Sequence, residues 1–151
     1  MQLDTTKIIE RYFYVDGSLR DIYLVQSEAK DWDIIFNFLE GQSILYSIFK
    51  DGEVLKGKVS SAEIIEQLNK FSFYLKIQLN IISLSGYFNT ADFIEFDLSP
   101  MEIQTDNALD ELISFMQLIA VATNKEARLT PEMEMGTPYI VVSPNRKVTY
   151  Y

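Results

Sequence analysis

The chain has no cysteine and no histidine. The first absence excludes disulfides and thiol chemistry. The second is more restrictive. Ser-His-Asp and Cys-His catalysis are closed to this chain, and so are zinc sites of the usual Cys/His kind. Any metal site would have to be built from oxygen, which means calcium or magnesium. Basic residues are also scarce: 13 Lys and Arg stand against 22 Asp and Glu, for a net charge of −9. Such a chain repels nucleic acid and anionic membranes, and its natural complement is a basic partner. Long apolar runs are missing as well. The longest, near Leu118 to Ala122, is far too short to span a bilayer. The N-terminal "MQLDTTKIIERYF" has no basic region followed by an apolar run, so no signal peptide is expected and a cytoplasmic location is.

What is present is ample apolar material. Hydrophobic residues make up 48% of 151, with ten Phe and nine Tyr. That length and composition predict one globular domain over residues 1–151 with a bulky core.

Alternation in "RYFYVDGSLRDIYLV" predicts a first hairpin. Ile9, Phe13 and Val15 alternate with polar neighbours, Asp16-Gly17 turns, and Leu19 to Val25 returns. A helix capped by Ser27 follows, with Ala29, Trp32, Ile35, Phe36 and Leu39 as its apolar stripe and Gly41 as its stop. The pattern then repeats. Ser43 to Phe49 is a strand, Asp51-Gly52 a turn and Val54 to Lys58 a return, and Ser60 with Glu63 forms a capping box for a helix through Leu68. Phe71 to Ile81 alternates most clearly of all. A loop around Ser85-Gly86 leads to "DFIEFDLSP", with Ile94, Phe96 and Leu98 on one face and Phe93, Glu95 and Asp97 on the other. A third helix runs from Asn107 to Ala122, capped by Thr105, and "YIVVSPNRKVTYY" closes as a hairpin at Pro144-Asn145. The expected fold is therefore α+β: a two-layer sandwich in ββα-ββα-ββα-ββ order, with three helices on one face of a mainly antiparallel sheet.

Few residues invite a chemical reading. In the first hairpin, one glycine between strands does not make a phosphate cradle, and Arg20 with Asp21 reads as a cross-strand pair. Glu95 and Asp97 share a strand face at a spacing compatible with two-carboxylate hydrolysis, but any strand with acids at i and i+2 gives that spacing, and a solvated strand face is the preferred reading. Asp92, Glu95 and Asp97, or Asp106 and Asp110, are conceivable oxygen ligands, yet neither group follows the calcium-loop pattern. No catalytic, cofactor or metal residue is assigned.

Charge distribution is the one oddity. No Lys or Arg lies between Lys76 and Lys125, while Asp92, Glu95, Asp97, Glu102, Asp106, Asp110 and Glu111 fall within twenty residues. The helix dipole accounts for Asp106 and Asp110. Taken together, all seven (Asp92, Glu95, Asp97, Glu102, Asp106, Asp110 and Glu111) read as a docking surface for a basic protein partner, against the plainer reading of a solvated acidic face. In size and charge the chain is similar to bacterial immunity proteins, small acidic inhibitors of nuclease toxins, though no motif carries that likeness. An interaction or inhibitor module is the first expectation. A small-ligand domain using an aromatic sheet face (Tyr12, Tyr14, Tyr23, Trp32, Tyr46, Tyr74, Tyr87) is the second, and a carboxylate hydrolase the third.

Overall fold

The structure, a computed structural model, describes residues 4–151. Residues 1–3, part of the stretch read for a leader and of the expected domain, lie outside the described residues. The class is α+β, and the sheet is antiparallel throughout. Four helices occur among the described residues rather than three, and the ββα cycle is not followed.

The first departure is at the start. Thr5–Tyr12 is a helix, α1, and not a strand. Asp4 caps it by accepting from the Lys7 amide, and Ile8 and Tyr12 bury one face. Ile8, Ile9, Tyr12 and Phe13 satisfy a helical period as well as a strand one, and the cap decides between them. Asp16-Gly17 therefore turns from α1 into β1 (Arg20–Leu24) instead of closing a hairpin. Arg20 does not pair with Asp21. Its buried guanidinium donates to the carbonyls of Tyr12 (2.7 Å), Tyr14 (2.9 Å) and Leu19 (3.1 Å) and to Ser18 Oγ, and it meets Asp16 at 3.5 Å. Arg20 thus holds the α1–β1 loop closed.

Next, α2 (Ala29–Gly41) buries Trp32, Ile35, Phe36 and Leu39 as expected. Its cap is Glu28 with Asp31, and not Ser27, whose hydroxyl bonds to the Asp92 carbonyl and the Ile94 amide. The hairpin of β2 (Leu45–Lys50) and β3 (Glu53–Val54) turns at Asp51-Gly52. Ser60 caps α3 (Ser61–Gln67). Then β4 (Phe73–Gln78), β5 (Ser83–Tyr87) and β6 (Glu95–Leu98) run antiparallel in succession.

The expected loop at Ser85-Gly86 lies in the middle of β5. The residue there is glycine because the Phe96 ring fills the space: a Cβ on Gly86 would sit 3.0 Å from it. After a 3₁₀ turn at Pro100–Glu102, α4 (Asp106–Thr123) starts at Thr105 and buries Leu109, Leu112, Phe115, Met116, Ile119 and Ala120. A strand absent from the sequence reading, β7 (Ala127–Pro131), precedes the terminal hairpin of β8 (Ile140–Val142) and β9 (Val148–Tyr150).

The sheet order is β3-β2-β4-β5-β6-β1-β7-β8-β9. One side of it, with Leu75, Leu84, Phe96, Ile22, Leu129 and Ile140, joins the helices in a single core. At its centre Trp32 is fully buried, with Phe88 at 4.2 Å and Phe96 edge-on at 5.9 Å between ring centroids. Trp32→Ala is expected to cost about 3–5 kcal/mol in urea unfolding, as removal of a large buried ring does. Gly17, at φ +84° with open space around it, is expected to cost about 1–2 kcal/mol when changed to valine, through backbone strain alone. An unchanged denaturation midpoint for either variant would contradict the reading.

Candidate functional site

The other side of the sheet carries the unusual chemistry. Because side chains alternate along strands, register fixes which residues meet across it. One row runs Phe49, Tyr74, Tyr87, Glu95, Tyr23, Arg128, each opposite the next. The neighbouring row runs Ser47, Lys76, Ser85, Asp97, Asp21, Thr130. Asp97 and Asp21 are therefore direct cross-strand partners, and Glu95 lies two residues from Asp97 on the same face. Like charges placed directly opposite one another destabilise a sheet.

Burial sharpens the conflict. Asp21 is only 4% exposed, while Glu95 and Asp97 are half-buried. The loop after β7 covers this part of the face: the Met133 amide donates to Asp21 Oδ2 at 2.8 Å, and the Tyr23 hydroxyl donates to the Met135 carbonyl at 2.8 Å. No salt bridge among the described residues involves Asp21, Glu95 or Asp97. The one arginine in the row, Arg128, is turned to Glu126.

The titration behaviour follows. Loss of water, then the charge of Asp21 and a hydrogen bond shared with it, and then Asp97, push Glu95 up to about 7. Loss of water, then Asp21, then Glu132, push Asp97 up to about 6. Asp21 is raised chiefly by burial, partly offset by the Met133 amide. Tyr87, at the edge of the group, is raised by burial and by Asp97. Near neutral pH the cluster therefore keeps a proton that isolated carboxylates would lose.

Only two of the seven acids singled out from sequence, Glu95 and Asp97, stand together here. Glu102 Oε1 accepts from the Ser83 amide and hydroxyl, both at 3.0 Å. Glu111 Oε1 accepts from the amides of Ile81 (2.8 Å) and Ile82 (3.0 Å). Asp106 sits in the first turn of α4, and Asp110 is exposed farther along it, where its charge adds to burial in raising Tyr150. Exposed Asp92 lines a depression of about 380 Å³ with Phe93, Met135, Tyr23 and Arg128, and it adjoins the cluster only through the last two. The cluster instead gains Asp21, which the sequence reading put in a hairpin, and the nearby Glu132. An aspartate between Arg20 and the apolar run Ile22-Tyr23-Leu24 was the available signal. Among the described residues, no group of three or more carboxylates is arranged to hold a metal ion.

The raised acids carry a stability consequence. A folded state that binds a proton more tightly than the unfolded chain gains most stability at low pH. Here the contribution is fully present below the unfolded values of 4.5 and 3.8, and it is lost as pH rises through about 6 to 7. Glu95→Gln and Asp97→Asn are therefore expected to raise the melting temperature at about pH 8 by about 2–4 °C and to lose that advantage at about pH 4. Equal melting of variant and parent at the higher pH would show that the carboxylates do not repel one another. No protein-family model matches the chain, and no curated protein or solved structure matches it significantly.

Proposed function

We propose that the chain is a protein-interaction module, of the inhibitor kind, whose outer sheet face receives a basic segment of a partner at half-buried Glu95 and Asp97, beside the loop that follows β7. One observation carries the reading: Asp21, Glu95 and Asp97 are held side by side on that face with no ion pair to any of them among the described residues. A fold tolerates such self-repulsion at a cost, and an incoming Lys or Arg relieves it. In the free protein a proton takes the cation's place. The flanking aromatic row gives the partner's aliphatic stems something to lie on.

The aromatic row itself favours this reading over a small ligand stacked on the sheet. Phe49 and Tyr74 lie face to face, 4.5 Å apart and 3° from parallel, so one face of each ring is already taken by the other. A hydrolase is less well supported. Two-carboxylate catalysis needs environments that push one acid up and leave the other ionised, whereas Glu95 and Asp97 are both raised.

The test is a titration with a short arginine- and lysine-rich peptide, followed through the backbone amide resonances of β1 and β6. Cation binding lowers the raised carboxylate pKa values and expels the shared proton. Affinity is therefore expected to rise between about pH 5 and about pH 8 and to fall with added salt. The groups facing the cluster are Tyr23 on β1, Tyr87 on β5, Arg128 on β7 and Glu132 on the following loop, with Lys76 one strand beyond Ser85. The double variant Glu95→Gln, Asp97→Asn is expected to weaken binding about tenfold or more, as loss of charged hydrogen-bond partners does. The double variant Asp106→Asn, Asp110→Asn leaves it within about twofold, since exposed charges contribute little. Equal weakening by both pairs would mean that the peptide senses net charge alone, and the proposal would fail.

A further inference from the structure

A second site stands apart from the open-face cluster. A cavity of about 330 Å³ opens where the start of β2, the β4–β5 turn and the middle of α4 meet. That volume lies at the small-molecule end of the range for ligand sites. Its floor is apolar: Ile44, Leu79, Phe115 and Leu118. Polar residues Gln42, Asn80 and Ser114 also line it. The single charged residue in the lining is Glu111, half-buried on α4.

No lysine or arginine lines the cavity, and none occurs in the chain from residue 77 to residue 124. Lys76 points to the open face, opposite Ser85 and outside the lining. An anionic ligand would therefore find no counter-charge and would face a carboxylate.

Glu111 decides the kind of cation. Its Oε1 is taken by the amides of Ile81 and Ile82, while Oε2 has no hydrogen bond among the described residues. One free carboxylate oxygen suits a compact ammonium, whereas a guanidinium fork asks for two. A quaternary ammonium asks for an aromatic cage, and the one ring in the lining, Phe115, is only 2% exposed.

We propose that this cavity binds a primary ammonium carried on an unbranched alkyl stem. The charge sits at Glu111 Oε2, and the stem lies over Leu79 and Leu118. The same chemistry belongs to a free alkylamine and to a lysine side chain. The site is independent of the open-face reading and stands or falls separately from it.

Three probes test it: n-pentylamine, n-pentanol, and Nα-acetyl-lysine amide. Binding is followed by the amide resonances of Ile81 and Ile82, which report on Glu111. Pentylamine is expected to shift both and to bind about tenfold more tightly than pentanol, the difference a charge-assisted hydrogen bond makes. Glu111→Gln keeps an acceptor for the two amides, so the turn is retained, and it is expected to remove that tenfold preference. Ser114→Phe, at an exposed position on α4, fills the mouth and abolishes binding of every probe. Tighter binding of the lysine amide than of pentylamine identifies a protein side chain as the natural occupant, and the reverse order identifies a free amine. Either order supports the site. Equal affinity for pentylamine and pentanol, binding indifferent to Glu111→Gln or Ser114→Phe, or no shift at about 10 mM amine, far above the affinity such a site needs, would overturn it.

Discussion

Strand β1 is buried along its whole length, and most of the molecule is arranged around that constraint. It lies between β6 and β7, so both of its backbone edges are paired. Its inner residues Ile22 and Leu24 join the core beneath the helices. Its outer residues Asp21 and Tyr23 are covered by the loop that follows β7. Arg20 at its start ties down the loop from α1. A central strand normally carries apolar residues on any face that is shut from water. Here the outer face carries an aspartate at the point of greatest burial, directly opposite a second aspartate.

The helical half of the fold was legible because its signals are local. The stripe of Trp32, Ile35, Phe36 and Leu39, the Ser60 cap and the Thr105 cap all lie within a few residues of what they determine. The hairpin turns at Asp51-Gly52 and Pro144-Asn145 were legible for the same reason, whereas Asp16-Gly17 turns out of a helix and Ser85-Gly86 lies within a strand. Helix α1 was not, because Ile8, Ile9, Tyr12 and Phe13 fit both periods. Strand β5 was missed because Ser83, Ser85 and Gly86 have no strand character alone; the Phe96 ring across the pair makes glycine the fitting residue. Strand β7 was hidden by its terminal Thr130-Pro131, and its partner β1 is more than a hundred residues away.

The same division applies to the candidate site. Alternation alone put Glu95 and Asp97 on the face away from Ile94, Phe96 and Leu98, and they are there. Their meeting with Asp21 could not be read, because it depends on β1 pairing with β6 across more than seventy residues. A strip of like charge in sequence was a poor guide to a surface. The chain folds that strip over a strand, a 3₁₀ turn and a helix, which point its side chains in different directions.

What separates the acids is the partner each one finds. Glu102 and Glu111 look equally uncompensated in the sequence, yet each carboxylate accepts two hydrogen bonds from the β4–β5 turn or the start of β5. Ionised acceptors of this kind stabilise the backbone they hold. Asp16 and Asp51 likewise accept through one oxygen each, from Ser18 and Ser72. Asp21 has one backbone donor, and beyond it meets Glu95 and Asp97. A chain with 22 acidic residues has many places to put a carboxylate in water. Three of them crowded into the middle of a sheet, with the local arginine turned to Glu126, is an arrangement that folding alone does not favour. Among the described residues the repulsion is offset by a retained proton and not by a basic side chain.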